Sequence, residues 1–342
     1  MKNYIELLKS NELIRRLSII QLISYFGAWF SNVAIYTLLI NLDVDAMVIA
    51  TVAALHFLPG ALQAPFSGIL SDKYNPKKMM LMLIVVEIIA TFLLIFITDL
   101  EHISYLYILI FIRMGASSFY FTVEMSILPR IVTGDKLRIA NEIHSIIWSF
   151  SYTFGMAIGG LVVYLVGVKS AFLIDAFMFV IAFNLLYFLN LEIKRENHKT
   201  TAYRMFFETF SYFKQEPKIF ALILLHAFIG FSAFDALVAL SVNAYYSSVI
   251  AVSLAIGMIN ASRAVGLVVG PIVFSKHINA KKIVYLFIFQ ALTIFIWAYA
   301  MENFILSLVA SLLTGFSITT LWSYTYTLLQ HNCDEKYYGR VV

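Results

Sequence analysis

Residues 71–101 read SDKYNPKKMMLMLIVVEIIATFLLIFITDLE. Four charges stand in the first eight positions. Then come twenty residues, 79–98, with a single charge at Glu87, and two carboxylates follow at Asp99 and Glu101. As a helix rising about 1.5 Å per residue, twenty residues span about 30 Å, the thickness of the hydrocarbon core of a bilayer. The stretch predicts one membrane crossing between two wet ends.

The same pattern recurs along the chain. Ten apolar segments fall at 17–42, 46–71, 79–98, 103–129, 139–167, 169–190, 218–243, 250–275, 283–301 and 303–330, each bounded by charges or turn residues. The composition agrees. Of 342 residues, 61% are apolar and 13% charged, and mean hydropathy is +0.85. A soluble domain carries about 25% charged residues, so this chain cannot cover itself with polar surface. The ten-residue alternation of barrel strands is absent, and an all-α membrane protein is the spanning solution that remains. Cys333 is the single cysteine, which excludes an internal disulfide and a cysteine metal cluster. No metal site and no cofactor are expected. Neither H-E-x-x-H, G-x-S-x-G nor a phosphate-binding G-x-x-x-x-G-K-[ST] occurs, so the chain reads neither as an enzyme nor as an ATP-driven pump. No nucleic-acid motif accompanies the +4 net charge.

Charge placement sets the orientation. Twenty-one of the 24 Lys and Arg residues fall in the two termini and in the even-numbered loops, which are the loops 2–3, 4–5, 6–7 and 8–9. One, Lys169, falls on the opposite side, and Arg113 and Arg263 lie within segments. The positive-inside rule therefore places both termini in the cytoplasm, in a multi-pass protein of the cell (inner) membrane. Six segments form an N-terminal lobe, 1–190. A cytoplasmic central stretch, 191–217, holds the aromatic and charged run YRMFFETFSYFK at 203–214, read as an interfacial helix. Four segments form the C-terminal lobe, 218–342. Gly60 to Pro65 (GALQAP) is echoed by Gly266 to Pro271 (GLVVGP), and Lys77-Lys78 by Lys281-Lys282, as in transporters built from repeats.

Gly68 to Lys78 (GILSDKYNPKK) resembles G-x-L-x-D-R-x-G-R-K, the loop signature of the major facilitator superfamily. Gly68, Leu70, Asp72 and Lys77 match, Lys73 stands for Arg, and Asn75 and Pro76 depart from Gly and Arg. The resemblance implies a two-lobed helical bundle and a gating role for Gly68, Asp72, Lys73 and Lys77. Residues 151–160 (SYTFGMAIGG) resemble the G-P-x-x-G-G element of the superfamily's antiporters, with Met156 in place of Pro. Gly155, Gly159 and Gly160 are its close-packing residues. Residues 129–141 (PRIVTGDKLRIAN) and 171–176 (AFLIDA) resemble the secretion-effector branch, which includes macrolide and siderophore exporters. The superfamily has twelve spans, and residues 334–342 resemble the loop leading into an eleventh. The expectation is a fragment or a truncated gene product, and an inactive or regulatory remnant is one alternative.

Polar residues inside apolar helices are costly and mark function. At 100° per residue, Arg113, Ser117, Tyr120 and Glu124 share an arc of about 60° on the fourth segment. Gln21, Tyr25, Asn32 and Tyr36 share one on the first, and Thr319, Ser323, Tyr326 and Gln330 one on the tenth. The resemblance implies that spans 1, 4, 7 and 10 line a central cavity, so these are the candidate substrate residues. Arg113 and Glu124 stand about 16 Å apart along the helix, too far to pair with each other. Carboxyls removed from water favour their neutral form, which makes Glu124, Asp235 and Glu87, in that order, the candidates for proton coupling. Asp175 reads as a structural residue near the outer end of the sixth span, and Arg263 as an ion-pair partner for Asp235. Glu142 and His144 are expected at the cytoplasmic interface. The whole reads as a monomeric secondary transporter in the lipid bilayer, exporting small amphipathic molecules against protons. An importer of a small solute is the rival.

Overall fold

The computed structural model describes residues 2–191, 202–230, 234–274, 278–279 and 281–334. The chain divides into two compact units, Met1–Lys199 and Thr200–Val342. Helices build both, and no strand occurs among the described residues.

The first unit opens with α1 (Lys2–Ser10), a short amphipathic helix before the first apolar segment. Asn11 caps α2 (Glu12–Asn41), its side chain accepting from the Ile14 N–H at 3.0 Å. Then follow α3 (Ala46–Lys73), α4 (Pro76–Leu93), α5 (Ile103–Ile131) and α6 (Asp135–Tyr187). Asn75 and Pro76 depart from the loop signature for a local reason: Asn75 caps α4 through the Lys78 N–H, and Pro76 takes the first helical position. The second unit holds α7 (Ala202–Gln215), α8 (Pro217–Gly230), α9 (Phe234–Ser241), α10 (Val252–Phe274), α11 (Ile283–Ala300) and α12 (Phe304–Asn332). The run 203–214 is thus helical, as α7.

Among the described residues, eight helices are long and apolar enough to cross a membrane. The ten expected segments differ from these at two places. Segments 139–167 and 169–190 are joined in α6, whose 53 residues would measure about 80 Å if straight, far beyond one bilayer. Gly167, at φ 83°, breaks it into two helices. A positive φ of that size suits glycine, because a Cβ there would clash with its own backbone. Segment 218–243 is described on either side of residues 231–233, which lie outside the described residues, as the apolar helices α8 and α9, and a π-helical turn at Val242–Tyr246 follows.

In the first unit α2 packs along α6, while α5 lies against both α3 and α4. The core joins Leu17 and Ile20 of α2, Met80 and Ile84 of α4, Tyr120, Val123 and Ile127 of α5, and Phe179 and Leu186 of α6. In the second unit α10 packs along α12, and a smaller core joins Ile229, Ile283, Leu286 and Leu321. Phe57, Tyr105, Phe177, Tyr285 and Phe295 are among many large apolar residues left exposed, the outward face expected where the solvent is hydrocarbon.

Candidate functional site

Two polar layers lie inside the first unit. The first centres on Arg113, in the middle of α5 and 2% exposed. Its Nη2 donates to Asp175 Oδ2 of α6 at 2.8 Å and to Ser31 Oγ of α2 at 2.7 Å. Its Nε donates to Thr91 Oγ1 of α4 at 3.0 Å. The Ser31 hydroxyl donates to the same Asp175 carboxylate. One guanidinium thus ties four helices together, using the fork of donors that a lysine lacks. Glu87, one helical turn before Thr91, stands beside Ser117 and within electrostatic reach of Arg113 and Asp175. Asp175 can reach across α2 because position 27 is glycine. A Cβ there would run into Asp175 Oδ1.

The second layer lies about three turns along α5. The Tyr25 hydroxyl donates to Glu124 Oε2 at 3.1 Å, and Glu124 is 2% exposed. No Lys or Arg among the described residues forms an ion pair with it. Beside it, Gln21 Nε2 lies 2.7 Å from His144 Nδ1, and the Tyr25 and Phe121 rings meet the imidazole edge-on. Tyr120 is buried against Glu124 and Tyr25. Toward the N-terminal end of α6, Tyr4 donates to Glu142 at 2.9 Å.

The residues expected from sequence are distributed as follows. Gln21, Tyr25, Arg113, Tyr120, Glu124 and Glu87 join these two layers. Asn32 approaches Met156, the residue standing where the antiporter element has Pro, and Tyr36 stacks on His56 at 5.9 Å. Ser117 is half-buried beside Glu87. Asp175, read as a structural residue, is the ionic partner of Arg113. His144 is 6% exposed, its Nδ1 2.7 Å from Gln21 Nε2.

Gly155 and Gly159 let α6 meet the backbone of α2, because a Cβ at Gly159 would stand 2.6 Å from the Phe30 carbonyl oxygen. Gly160 is buried next to them. Gly68, Asp72 and Lys73 fall in the last turns of α3, and their side chains lie outside the described residues. Lys77 Nζ donates to the Tyr187 carbonyl at the end of α6, 2.9 Å away.

In the second unit the Asp235 and Ser323 side chains lie outside the described residues. Thr319 is half-buried on α12. The sequence stripe on α12 missed a cluster beside it. His226 Nδ1 of α8 hydrogen-bonds with Thr325 Oγ1 at 2.7 Å, and the Thr325 hydroxyl also lies 2.8 Å from the Leu321 carbonyl. The His226 ring lies 4.2 Å from Trp322 and 6.2 Å from Tyr326. The 226-to-325 contact links two segments a hundred positions apart, and helical periodicity within one segment carries no signal for it.

The chain is similar to several known proteins. Uncharacterized MFS-type transporter YfiS of Bacillus subtilis (strain 168) is 25% identical over 170 residues, 49% of this chain and 40% of that one. YkuC of the same organism is 24% identical over 168 residues, 49% of this chain and 39% of that one. The matched stretch is thus less than half the length of either relative. Among solved structures, a bacterial homolog to the human lysosomal transporter Spinster, inward-facing and unoccupied, superposes with a TM-score of 0.72 at 15% identity. That match covers 96% of this chain and 77% of that one. The nucleoside transporter NupG gives a TM-score of 0.70 at 14% identity, covering 96% and 85%. Residues 17–342 match the family described as Major Facilitator Superfamily. With its match over residues 17–342 and its apolar helices long enough to cross a membrane, this chain belongs to the major facilitator superfamily.

Proposed function

We propose that the chain is a proton-coupled exporter of small amphipathic molecules, working by alternating access, with ten spans and both termini cytoplasmic. The observation that carries the proposal is the contrast between the two layers. Arg113 has its counter-charge in Asp175, whereas Glu124 is equally buried and has a tyrosine hydroxyl instead of a cation. A carboxylate without a cation is unfavourable in a water-excluded site, so this group is suited to take up a proton before it is enclosed and release it when water returns. Glu87 and Asp235 are the further proton-coupling candidates. The polar and aromatic faces formed by Gln21, Tyr25, Asn32, Tyr36, Ser117, Tyr120, Thr319, Ser323 and Tyr326 provide the cargo's contacts, with Arg113 as electrostatic anchor. Gly68, Asp72, Lys73 and Lys77 form the gate. The antiporter-like element at Gly155–Gly160 supports export over import. The 21-to-1 distribution of Lys and Arg supports the orientation.

Vesicles containing the protein and loaded with ethidium test the reading. An imposed pH gradient accelerates dye movement by the native chain. Glu124→Gln, at equal protein level, removes the acceleration. An unchanged response in that variant would end the coupling role of Glu124. Uptake in the direction opposite to export would favour the importer.

A further inference from the structure

The second layer contains a buried donor that no group among the described residues accepts from. Gln21 Nε2 approaches both His144 Nδ1, at 2.7 Å, and the His144 backbone carbonyl, at 3.3 Å. An amide nitrogen only donates, so Nδ1 is an acceptor and the imidazole proton sits on Nε2. Turning the amide over would press Oε1 against that carbonyl, so Gln21 fixes the neutral Nε2–H tautomer. His144 Nε2 itself is buried and meets no hydrogen-bond partner among the described residues. A buried donor left unmade is costly and calls for an acceptor that arrives at another moment.

The neighbours identify that acceptor. His144 is enclosed by Tyr25 of α2, at 5.9 Å between ring centroids, and by Phe121 of α5, at 5.2 Å. Tyr25 carries its hydroxyl to Glu124, and Glu124 follows Phe121 by three positions on the same helical face. Tyr25 of α2 packs against the imidazole and hydrogen-bonds Glu124 of α5, beside Tyr120, while Glu142, two positions before His144 on its own helix, accepts from Tyr4 of α1. Glu142 is half-buried, engaged by Tyr4, and at i−2 does not share the His144 face of α6, which leaves the buried Glu124 as the group that becomes a strong acceptor by losing a proton.

We propose that His144 is a positioning residue for proton exchange at Glu124: its Nε2–H, fixed by Gln21, turns to the Glu124 carboxylate when the proton leaves. In that step the O–H bond of the Glu124 carboxyl breaks and the proton passes to water. The anion accepts hydrogen bonds from the Tyr25 hydroxyl and His144 Nε2–H, and the imidazole stays neutral throughout. This deepens the proton-coupling reading of Glu124 and rests on it.

Nitrogen-15 NMR of the full chain, histidine-labelled and held in lipid nanodiscs, tests it, with His144→Gln identifying the His144 signals. The native protein is expected to show the Nε2–H tautomer, with an Nε2 resonance that shifts as pH rises. Glu124→Gln is expected to abolish that shift while keeping the tautomer. Gln21→Leu is expected to admit the Nδ1–H form. An Nδ1–H tautomer in the native protein would overturn the proposal. So would an Nε2 signal that ignores pH, or one whose response survives Glu124→Gln. Failure of the underlying coupling reading registers separately, as a Glu124→Gln vesicle that still answers a pH gradient.

Discussion

The two units solve the same packing problem by different means. Among the described residues the first buries four carboxyl or guanidinium side chains, Glu87, Arg113, Glu124 and Asp175, and joins its helices through the fork of Arg113. Among the described residues the second buries one, Arg263, and relies on small residues. Along the α10–α12 contact, Gly266 faces the Leu312 carbonyl, Gly270 the Phe316 carbonyl and Gly315 the Arg263 carbonyl. Its buried polar side chains are mostly hydroxyls turned to carbonyls, such as Ser311 on Ile259, and the half-buried Ser262 likewise donates to Leu308, both across the α10–α12 contact. In hydrocarbon, where burying an apolar side chain yields no gain over lipid contact, close backbone approach and interhelical hydrogen bonds are the available sources of helix association. The second unit uses them almost alone. The first adds electrostatics, and with them the groups able to move charge. The lesson is that the units should fail differently: one when a charge partner is removed, the other when a methyl is added.

The largest effect is expected at the ion pair. Asp175→Leu strands Arg113 in a dry site, and breaking a buried pair costs about 3–5 kcal/mol. Removing both charges, with Arg113→Leu and Asp175→Leu together, should recover most of that loss, since no charge is then left unpartnered. Thermal unfolding in detergent, followed by the loss of monodisperse protein, measures both. A double variant as unstable as the single one would mean that the staple acts through shape and not charge, and the contrast between the units would lose its basis.

Next comes an added methyl. Gly266→Ala and Gly315→Ala place a Cβ against backbone that cannot rotate away, and overpacking of this kind costs about 1–3 kcal/mol. Gly115→Ala in the first unit is the matched control. There a Cβ would meet Pro59 Cβ at 3.5 Å, an ordinary contact. Helix propensity favours alanine over glycine by about 1 kcal/mol, so this variant should be neutral or slightly more stable. The same substitution thus changes sign between the open Gly115 and the backbone-packed Gly315, and equal losses at the two would show that close backbone approach is not what the α10–α12 glycines provide.

How much of this was legible follows from the range of each interaction. Segment boundaries such as Asp72–Lys78 and Asp99–Glu101 could be read because bilayer thickness acts on every helix separately. The arcs carrying Arg113 with Glu124 and Gln21 with Tyr25 could be read because helical periodicity is local. The separation of Arg113 from Glu124 followed from helix rise alone. Which groups they meet did not. Asp175 lies 62 positions beyond Arg113 and reaches it only past Gly27, so its partner depends on how three helices are stacked. His144 looked interfacial by its place near the start of a segment. Its buried contact with Gln21, 123 positions away, did not show there. The join of 139–167 to 169–190 through Gly167 was likewise hidden, because composition does not register backbone angles.

The smallest effect sharpens the comparison by testing a device that the units share. Asn75 caps α4 in the first unit, accepting from the Lys78 N–H at 3.0 Å. Asn303 caps α12 in the second, accepting from the Leu306 N–H at 3.1 Å. Both residues precede a long apolar helix, both hold extended backbone, and both bonds belong to exposed surroundings. A cap of this kind satisfies one of the orphan amides at the helix start, and its replacement by alanine costs about 0.5–2 kcal/mol. Neither cap touches the ion pair of the first unit or the glycine contact of the second. Asn75→Ala and Asn303→Ala should therefore lower thermal stability by similar, modest amounts, and the two losses should add in the double variant. A loss confined to one of them would mean that the units unfold separately and that the measured transition reports only the weaker. Comparable, additive losses place both units in one cooperative transition, the condition under which the larger effects at Asp175 and Gly315 can be set on one scale.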